Sequence, residues 1–261
     1  MLPVKKIYID SRFKSSDSAS DSDFKIDLPE TVNMPEDTVF YIDDVAIPVS
    51  WYMIDSNRND RLYVRVDGVM SVVFLTPGNY TLQTLNQEIV DQMNNAVPGD
   101  LFISSPNASK NQVGISTTST KVFEILTDSQ LLQLGYSSPL HSVNAVLRNT
   151  TAKVNINGNP FVSSYVDMFP IRNIYIVSPN LGNFNTISCS GESGIIKKVP
   201  VSSGYNEMVF DQVVLGSDYL DCSKQTLRRL EFKLKDVFGN IINLNDNHCS
   251  FSIVFARQQL E

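Results

Sequence analysis

Cysteine and histidine are scarce in this 261-residue sequence, which holds Cys189, Cys222 and Cys249 and, beside them, only His141 and His248. The three cysteines are far apart and form no C-x-x-C pair, so neither a disulfide framework nor a tetrahedral zinc site is expected. Basic charge is also lacking. With 21 Lys and Arg against 28 Asp and Glu the net charge is −7, which argues against the basic face that displaces counterions from phosphate. Direct contact with nucleic acid is therefore not expected. No stretch reaches the ~18 apolar residues of a spanning helix. The first residues also lack the basic, apolar, then small-residue progression of a signal peptide. The expectation is a soluble, reduced protein made inside the cell, with no membrane-spanning segment. The sequons at Asn79, Asn107 and Asn149 then carry no weight, because glycosylation needs a secretory route.

What the sequence does have is alternation. Leu230, Phe232 and Leu234 alternate with Arg229, Glu231, Lys233 and Lys235, the pattern of a strand with one buried and one wet face. Asp236-Val237-Phe238-Gly239-Asn240 reads as a turn into a returning strand, Ile241 to Leu244. A last strand sets Phe251, Ile253 and Phe255 on one face and Ser250, Ser252 and Ala256 on the other. In Val39 to Val49 the apolar set changes phase, from Phe40 and Ile42 to Val45 and Ile47 across Asp43-Asp44. A β-bulge there would keep both sets inward. Arg61 to Val66 and Val69 to Leu75 flank Asp67-Gly68, a two-residue hairpin signal. Further strands are expected at Leu101 to Ser104, Gln112 to Ser116, Lys121 to Leu126, Ala152 to Ile156, Asn173 to Val177, Ile195 to Val199 and Met208 to Val214.

Helix is sparse. Thr81 to Asn95 places Leu82, Leu85, Ile89 and Met93 on one face, with Thr81 or Asn79 as the cap. A shorter helix follows Thr127, where Thr127-x-x-Gln130 resembles a capping box and Gly135 closes the end. Many short strands and little helix imply an all-β fold: a jelly-roll β-sandwich, a single jelly roll with one or two short helices in its connections. One domain spanning residues 1–261 is expected, with an inserted loop region or small β module within 98–165, where the pattern is less regular. Ser15 to Ser22 is rich in serine and aspartate and reads as a flexible loop, with Ser15 to Asp23 exposed; its alternative is an acidic arm that meets a partner.

Catalytic signals are weak. Gly191-Glu192-Ser193-Gly194 is close to the G-D-S-G around a serine-protease nucleophile. Such a serine needs a histidine base oriented by a carboxylate, and His141, in Pro139-Leu140-His141-Ser142, does not match that family's histidine motif. A turn between strands is the simpler reading. No phosphate-cradling P-loop, strand-linked G-x-G-x-x-G or H-E-x-x-H is present. Asp43, Asp44 and Asp211 could contribute oxygen ligands to calcium, yet no spaced run of such ligands accompanies them. Most of the 14 Phe, 10 Tyr and Trp51 are assigned to core positions, with a ligand-stacking platform as the alternative. Catalytic, cofactor-binding and metal sites are thus all expected to be absent, and subunit-interface residues are not readable.

The string "IYIDSR…SDFKIDLPE" followed by "VFYIDDVAIPVSWYMIDSNRN" resembles the N-terminal half of the single jelly-roll penton (minor capsid) proteins of Polinton/Maverick elements, adintoviruses and virophages. "LRRLEFKLKDVFGNIINLNDNHCSFSIVF" looks like the closing strands of that family. "LTPGNYTLQTLNQEIVDQMN" and "FEILTDSQLLQLGY" are similar to its middle part, and the likeness is weakest from Pro98 to Ser164. The resemblance implies a non-enzymatic structural role without cofactors: a homopentamer at the five-fold vertices of an icosahedral capsid, set among double jelly-roll major capsid protein trimers. It implies location in the virion, after synthesis in the host cytoplasm and assembly there or in the nucleus. A lectin-like module binding a receptor glycan is the alternative from another class.

Overall fold

The computed structural model describes residues 3–257 apart from 57, 100, 119, 138–139, 157–158, 182–185, 190, 192, 213 and 215–217. Along the chain the strands begin with β1 (Pro3–Asp10), β2 (Asp23–Asn33), β3 (Thr38–Pro48), β4 (Arg61–Val66) and β5 (Val69–Phe74). Helix α1 (Leu82–Ala96) follows, then β6 (Phe102–Ser104), β7 (Gly114–Thr117), β8 (Phe123–Ile125), α2 (Asp128–Gln133), α3 (Asn144–Leu147), β9 (Val154–Asn155) and β10 (Phe161–Val162). The chain closes with β11 (Asn173–Val177), β12 (Ile195–Pro200), β13 (Met208–Asp211), β14 (Leu220–Asp221), β15 (Thr226–Lys235) and β16 (Ser250–Arg257). Two compact units result. The first joins Met1–Trp51 to Ile171–Glu261, and the second is Tyr52–Pro170.

The first unit is a jelly roll. One sheet runs β1-β16-β3-β13, with the two-residue β14 also on β3, and the other runs β12-β11-β15-β2. Leaving β14 aside, successive strands of this unit are shared between two antiparallel four-stranded sheets with first beside last and second beside next-to-last. That is the double Greek-key order of a jelly roll. The core lies between the sheets. Phe232 of β15 packs against Phe24 of β2 in its own sheet, at 5.6 Å between ring centroids, and edge-on against Phe251 of β16 in the facing sheet, at 4.9 Å. All three rings are fully buried, and each contributes about 2 kcal/mol through apolar area removed from water.

The phase change in β3 is resolved by a bulge. Ser252 pairs with Asp44 and Ile253 with Ile42, so Asp43 has no partner on β16. Phe40, Ile42, Val45 and Ile47 are all buried as a result. The last strand departs from expectation, because Ser252, Val254 and Ala256 are buried as well as Phe251, Ile253 and Phe255. β16 is a central strand, between β1 and β3.

Two further expectations need correction. Ile241 to Leu244 is not a strand: Ile241 makes a single bridge to Lys235 and the chain then turns away. The Leu244 carbonyl accepts instead from the Ser50 hydroxyl and the Asn247 amide. Ser15 to Asp23 is only partly exposed and is folded back along β2, since Asp21 and Ser22 are buried. Ser15 N–H donates to the Lys25 carbonyl at 2.7 Å, and Lys25 N–H donates to Ser18 Oγ at 3.0 Å. Ala19 and Ser20 amides both donate to the Asp23 carbonyl. A segment whose composition disfavours a hydrophobic core here satisfies the backbone of an edge strand through its own amides and the Ser18 hydroxyl.

The second unit has its own core. The Asp67-Gly68 hairpin forms with φ of +44° and +84°, the pair of left-handed residues that a type I′ turn requires. The order of its main sheet is β5-β4-β8-β9, and a smaller sheet runs β10-β7-β6. Helix α1 carries a capping box in which Thr81 and Thr84 satisfy each other's backbone amides. Leu85, Ile89 and Met93 are buried with Leu62, Val64 and Val73, and Asn86 joins them by accepting from Gly114 N–H. The second capping box, Thr127 with Gln130, also forms, but of the leucines in that region only Leu131 is buried, while Leu132 and Leu134 are exposed. The unit begins at Tyr52, well before residue 98. Hairpin and helix belong to it because their apolar faces fill this second core rather than the sandwich.

Candidate assembly surface

The pairing register places several connections of the jelly roll at one end. Asp10 pairs with Ser250, Asp23 with Lys233, and Pro48 with Met208. Residues 11–22, 201–207 and 236–249 therefore all leave the strands at that end. Loops on a rigid sandwich are free to carry contacts.

A charged cluster fixes the first of these connections to the third. Asp21 Oδ1 accepts from Lys14 Nζ at 2.7 Å and lies 2.9 Å from His248 Nδ1. Burial pushes the Asp21 carboxyl up, but the hydrogen bonds from Lys14 and His248 outweigh it and hold it below the usual carboxylate range. Ser11 N–H donates to the Cys249 carbonyl, and Cys249 N–H donates to Ser11 Oγ. A shallow cavity of about 230 Å³ opens beside the cluster, lined by Ser20, Asp21, Ile241, Leu244 and Asp246 among others.

The third connection presents an apolar tip. Asp236 is buried, and its Oδ1 accepts from the Phe238 amide at 2.8 Å and the Asn240 amide at 3.0 Å. Gly239, at φ +86°, completes the turn. Phe238 is left 75% exposed on a rigid loop, and Phe13 of the first connection is 77% exposed. Near the second connection Tyr205, Met208 and Phe210 are exposed, while Val209 between the latter two is buried. Rigid exposed aromatics cost little entropy to bury against a partner. Sequence reasoning put Phe238 in a turn but did not name these residues as a surface, because which turns share one end of the sandwich depends on the strand pairing.

The residues with chemical potential are dispersed. Ser193 pairs with Ile187 in an isolated bridge, and Gly191 and Gly194 both have positive φ, so the segment is a turn; Glu192 lies outside the described residues. His141 belongs to the other unit, has φ +50°, and its carbonyl accepts from Arg61 N–H; Pro139 lies outside the described residues. Cys222 and Cys249 are free and buried, and burial pushes both thiols up to about 12, far from thiolate chemistry at neutral pH. Cys189 is free and exposed.

The aspartates read as possible calcium ligands face ammonium groups. Lys6 pairs with Asp43 and approaches Asp44, and Lys197 lies 3.5 Å from Asp211. Among the described residues no cluster of His, Cys, Asp or Glu could hold a metal ion. Trp51 is buried in the jelly-roll core. Asn149 of the third sequon is buried. Among the described residues no helix is long and apolar enough to cross a membrane.

No protein-family model matches the sequence, and no curated protein matches it. Among solved structures, the fold is similar to the crystal structure of the selenomethionine-labelled mavirus penton protein. The TM-score is 0.53 at 11% identity, over 96% of this chain and 99% of that one. At that identity the likeness establishes a penton-like fold.

Proposed function

We propose that the chain is a minor capsid protein that forms homopentamers at the five-fold vertices of an icosahedral particle, without catalysis or cofactor. The observation that carries this reading is the extent of the fold correspondence. The alignment covers 96% of this chain and 99% of the mavirus penton protein, and so extends over both units. A jelly roll alone is shared by many capsid and lectin domains, but a jelly roll interrupted between β3 and β11 by a second folded unit is more specific.

Ring formation about a five-fold axis uses heterologous contacts, in which one patch of each copy meets a different patch of the next. Because rotation preserves height along the axis, paired patches must lie at the same level. The Phe13 and Phe238 tips and the Tyr205, Met208 and Phe210 patch share one end of the sandwich, and they meet that requirement in a ring whose strands run along the axis. Major capsid protein trimers around the vertex are the proposed outer partners, and the virion is the proposed location. Native mass spectrometry and negative-stain microscopy of the purified chain test the reading. The expected result is a five-membered ring, formed alone or with the major capsid protein; a monomer under both conditions, with glycan binding instead, would overturn it.

A further inference from the structure

The strand β5 is an edge without protection. Edge strands present unpaired backbone groups, and proteins blunt them with lysine, proline, shortness or a cover. The other edge strands of more than four residues here are blunted: β1 carries Pro3, Lys5 and Lys6, and β12 carries Lys197, Lys198 and Pro200. β2 is covered by the Ser15 to Asp23 segment. β5 reads Val69-Met70-Ser71-Val72-Val73-Phe74, with no charge, no proline and no second strand paired to it among the described residues; its other neighbour is helix α1.

Its register shows which groups are free. The type I′ turn makes Val66 and Val69 a hydrogen-bonded pair, so Val64 with Ser71 and Leu62 with Val73 are hydrogen-bonded too. Leu126 N–H donating to the Tyr63 carbonyl on the opposite side of β4 agrees with that phase. The N–H and C=O groups of Met70, Val72 and Phe74 consequently point away from β4, toward the open edge. Phe74 is 58% exposed and Met70 and Val72 are half-buried, so the row is reachable and apolar.

We infer that the open edge of β5 pairs antiparallel with β5 of a second copy of this chain. An occupant must be extended, to match the free backbone groups, and apolar, to lie against Met70 and Val72 and against Phe74, whose ring has the Arg61 guanidinium 5.6 Å from its centroid. β5 itself has that chemistry, and two copies meet through it without like-charge repulsion, whereas β1 or β12 paired with its own copy would set lysine against lysine. Centred on the middle free residue, the two-fold pairing places Val72 opposite Val72 and Met70 opposite Phe74, with about six backbone hydrogen bonds. The two four-stranded sheets become one continuous sheet. This contact goes beyond the five-fold reading and is independent of it: it doubles a single copy, and it doubles a ring where the two-fold axis meets the ring axis at a right angle.

Charge exchange on the full chain tests the pairing by native mass spectrometry across a concentration series. One variant carries Met70→Lys with Phe74→Lys, the other Met70→Glu with Phe74→Glu, and circular dichroism confirms that each is folded. The parent is expected to show even-numbered species, each variant alone to lose them, and a one-to-one mixture to restore a mixed doubled species. Doubling of single copies would support β5 pairing while counting against the ring; doubling of rings would support both. Rings or monomers that never double, with no restoration on mixing, would sink the inference and leave the ring reading untouched. Doubling that survives in each variant alone would locate the contact elsewhere and equally overturn it. Should the lysine variant fail to fold, Phe74→Lys alone, at the most exposed position of the row, must weaken doubling by at least about tenfold, as expected from desolvating one charge at a pairing edge.

Discussion

Asp21 is a buried carboxylate whose partners, Lys14 and His248, come from opposite ends of the sequence. Its folded pKa is below the unfolded value of about 3.9. A depressed carboxylate stabilises the fold fully above the unfolded value, and that stability is lost as pH falls through the folded value. Asp10, held low mainly by its hydrogen bond from Arg12, acts in the same direction and is common to any comparison at Asp21. Urea midpoints measured from pH 6 to pH 2 should therefore fall more steeply below about pH 4 for the parent than for Asp21→Asn. Parallel curves would show that Asp21 contributes nothing specific. The cluster was not legible in the sequence, where His248 and Asp21 are 227 residues apart and only tertiary packing makes them neighbours.

At the scale of an element, the bulge in β3 makes a sharp prediction. With Asp43 present, Phe40 and Ile42 are out of phase with Val45 and Ile47, and the bulge absorbs the difference. Removing Asp43 restores strict alternation, so the shortened strand still buries all four side chains and loses one exposed ion pair with Lys6. Removing Ala46 instead turns Ile47 outward. Deletion of Asp43 is expected to cost less than about 2 kcal/mol, whereas deletion of Ala46 should leave the protein unfolded or insoluble. Thermal melts followed by circular dichroism separate the two outcomes, and equal damage from both deletions would show that the bulge has a role beyond phase. This element was readable beforehand because period-two alternation is local. The edge-covering role of Ser15 to Asp23 was not, because a polar, serine-rich composition describes a solvated loop and a hydrogen-bonding cover equally well.

For the molecule as a whole, the two cores share no residue: one cluster is built from Met1–Trp51 and Ile171–Glu261, the others from Tyr52–Pro170. A unit with its own core can fold alone. Residues 52–170 expressed by themselves should unfold cooperatively in urea, and the remaining chain, joined by a short Gly/Ser linker, should retain a β-rich spectrum. Loss of cooperative unfolding in both pieces would mean that the units are stable only together. The division at Tyr52 was not read in the sequence, since the Asp67-Gly68 hairpin and the Thr81 helix are regular elements that suit either core.

By itself the sequence determined what depends on neighbours along the chain: the strands with one apolar face, the Asp67-Gly68 hairpin, the Thr127 capping box and the β3 bulge. Side-chain alternation and cap chemistry act within a few residues, so these features survive without knowledge of the fold. Only the tertiary structure decided which core each element fills, which edge is covered and which left open, and which aromatic rings face water. Burial is a property of three-dimensional neighbours, and Phe232 and Phe238, six positions apart, end in opposite environments because one lies between two sheets and the other on a turn.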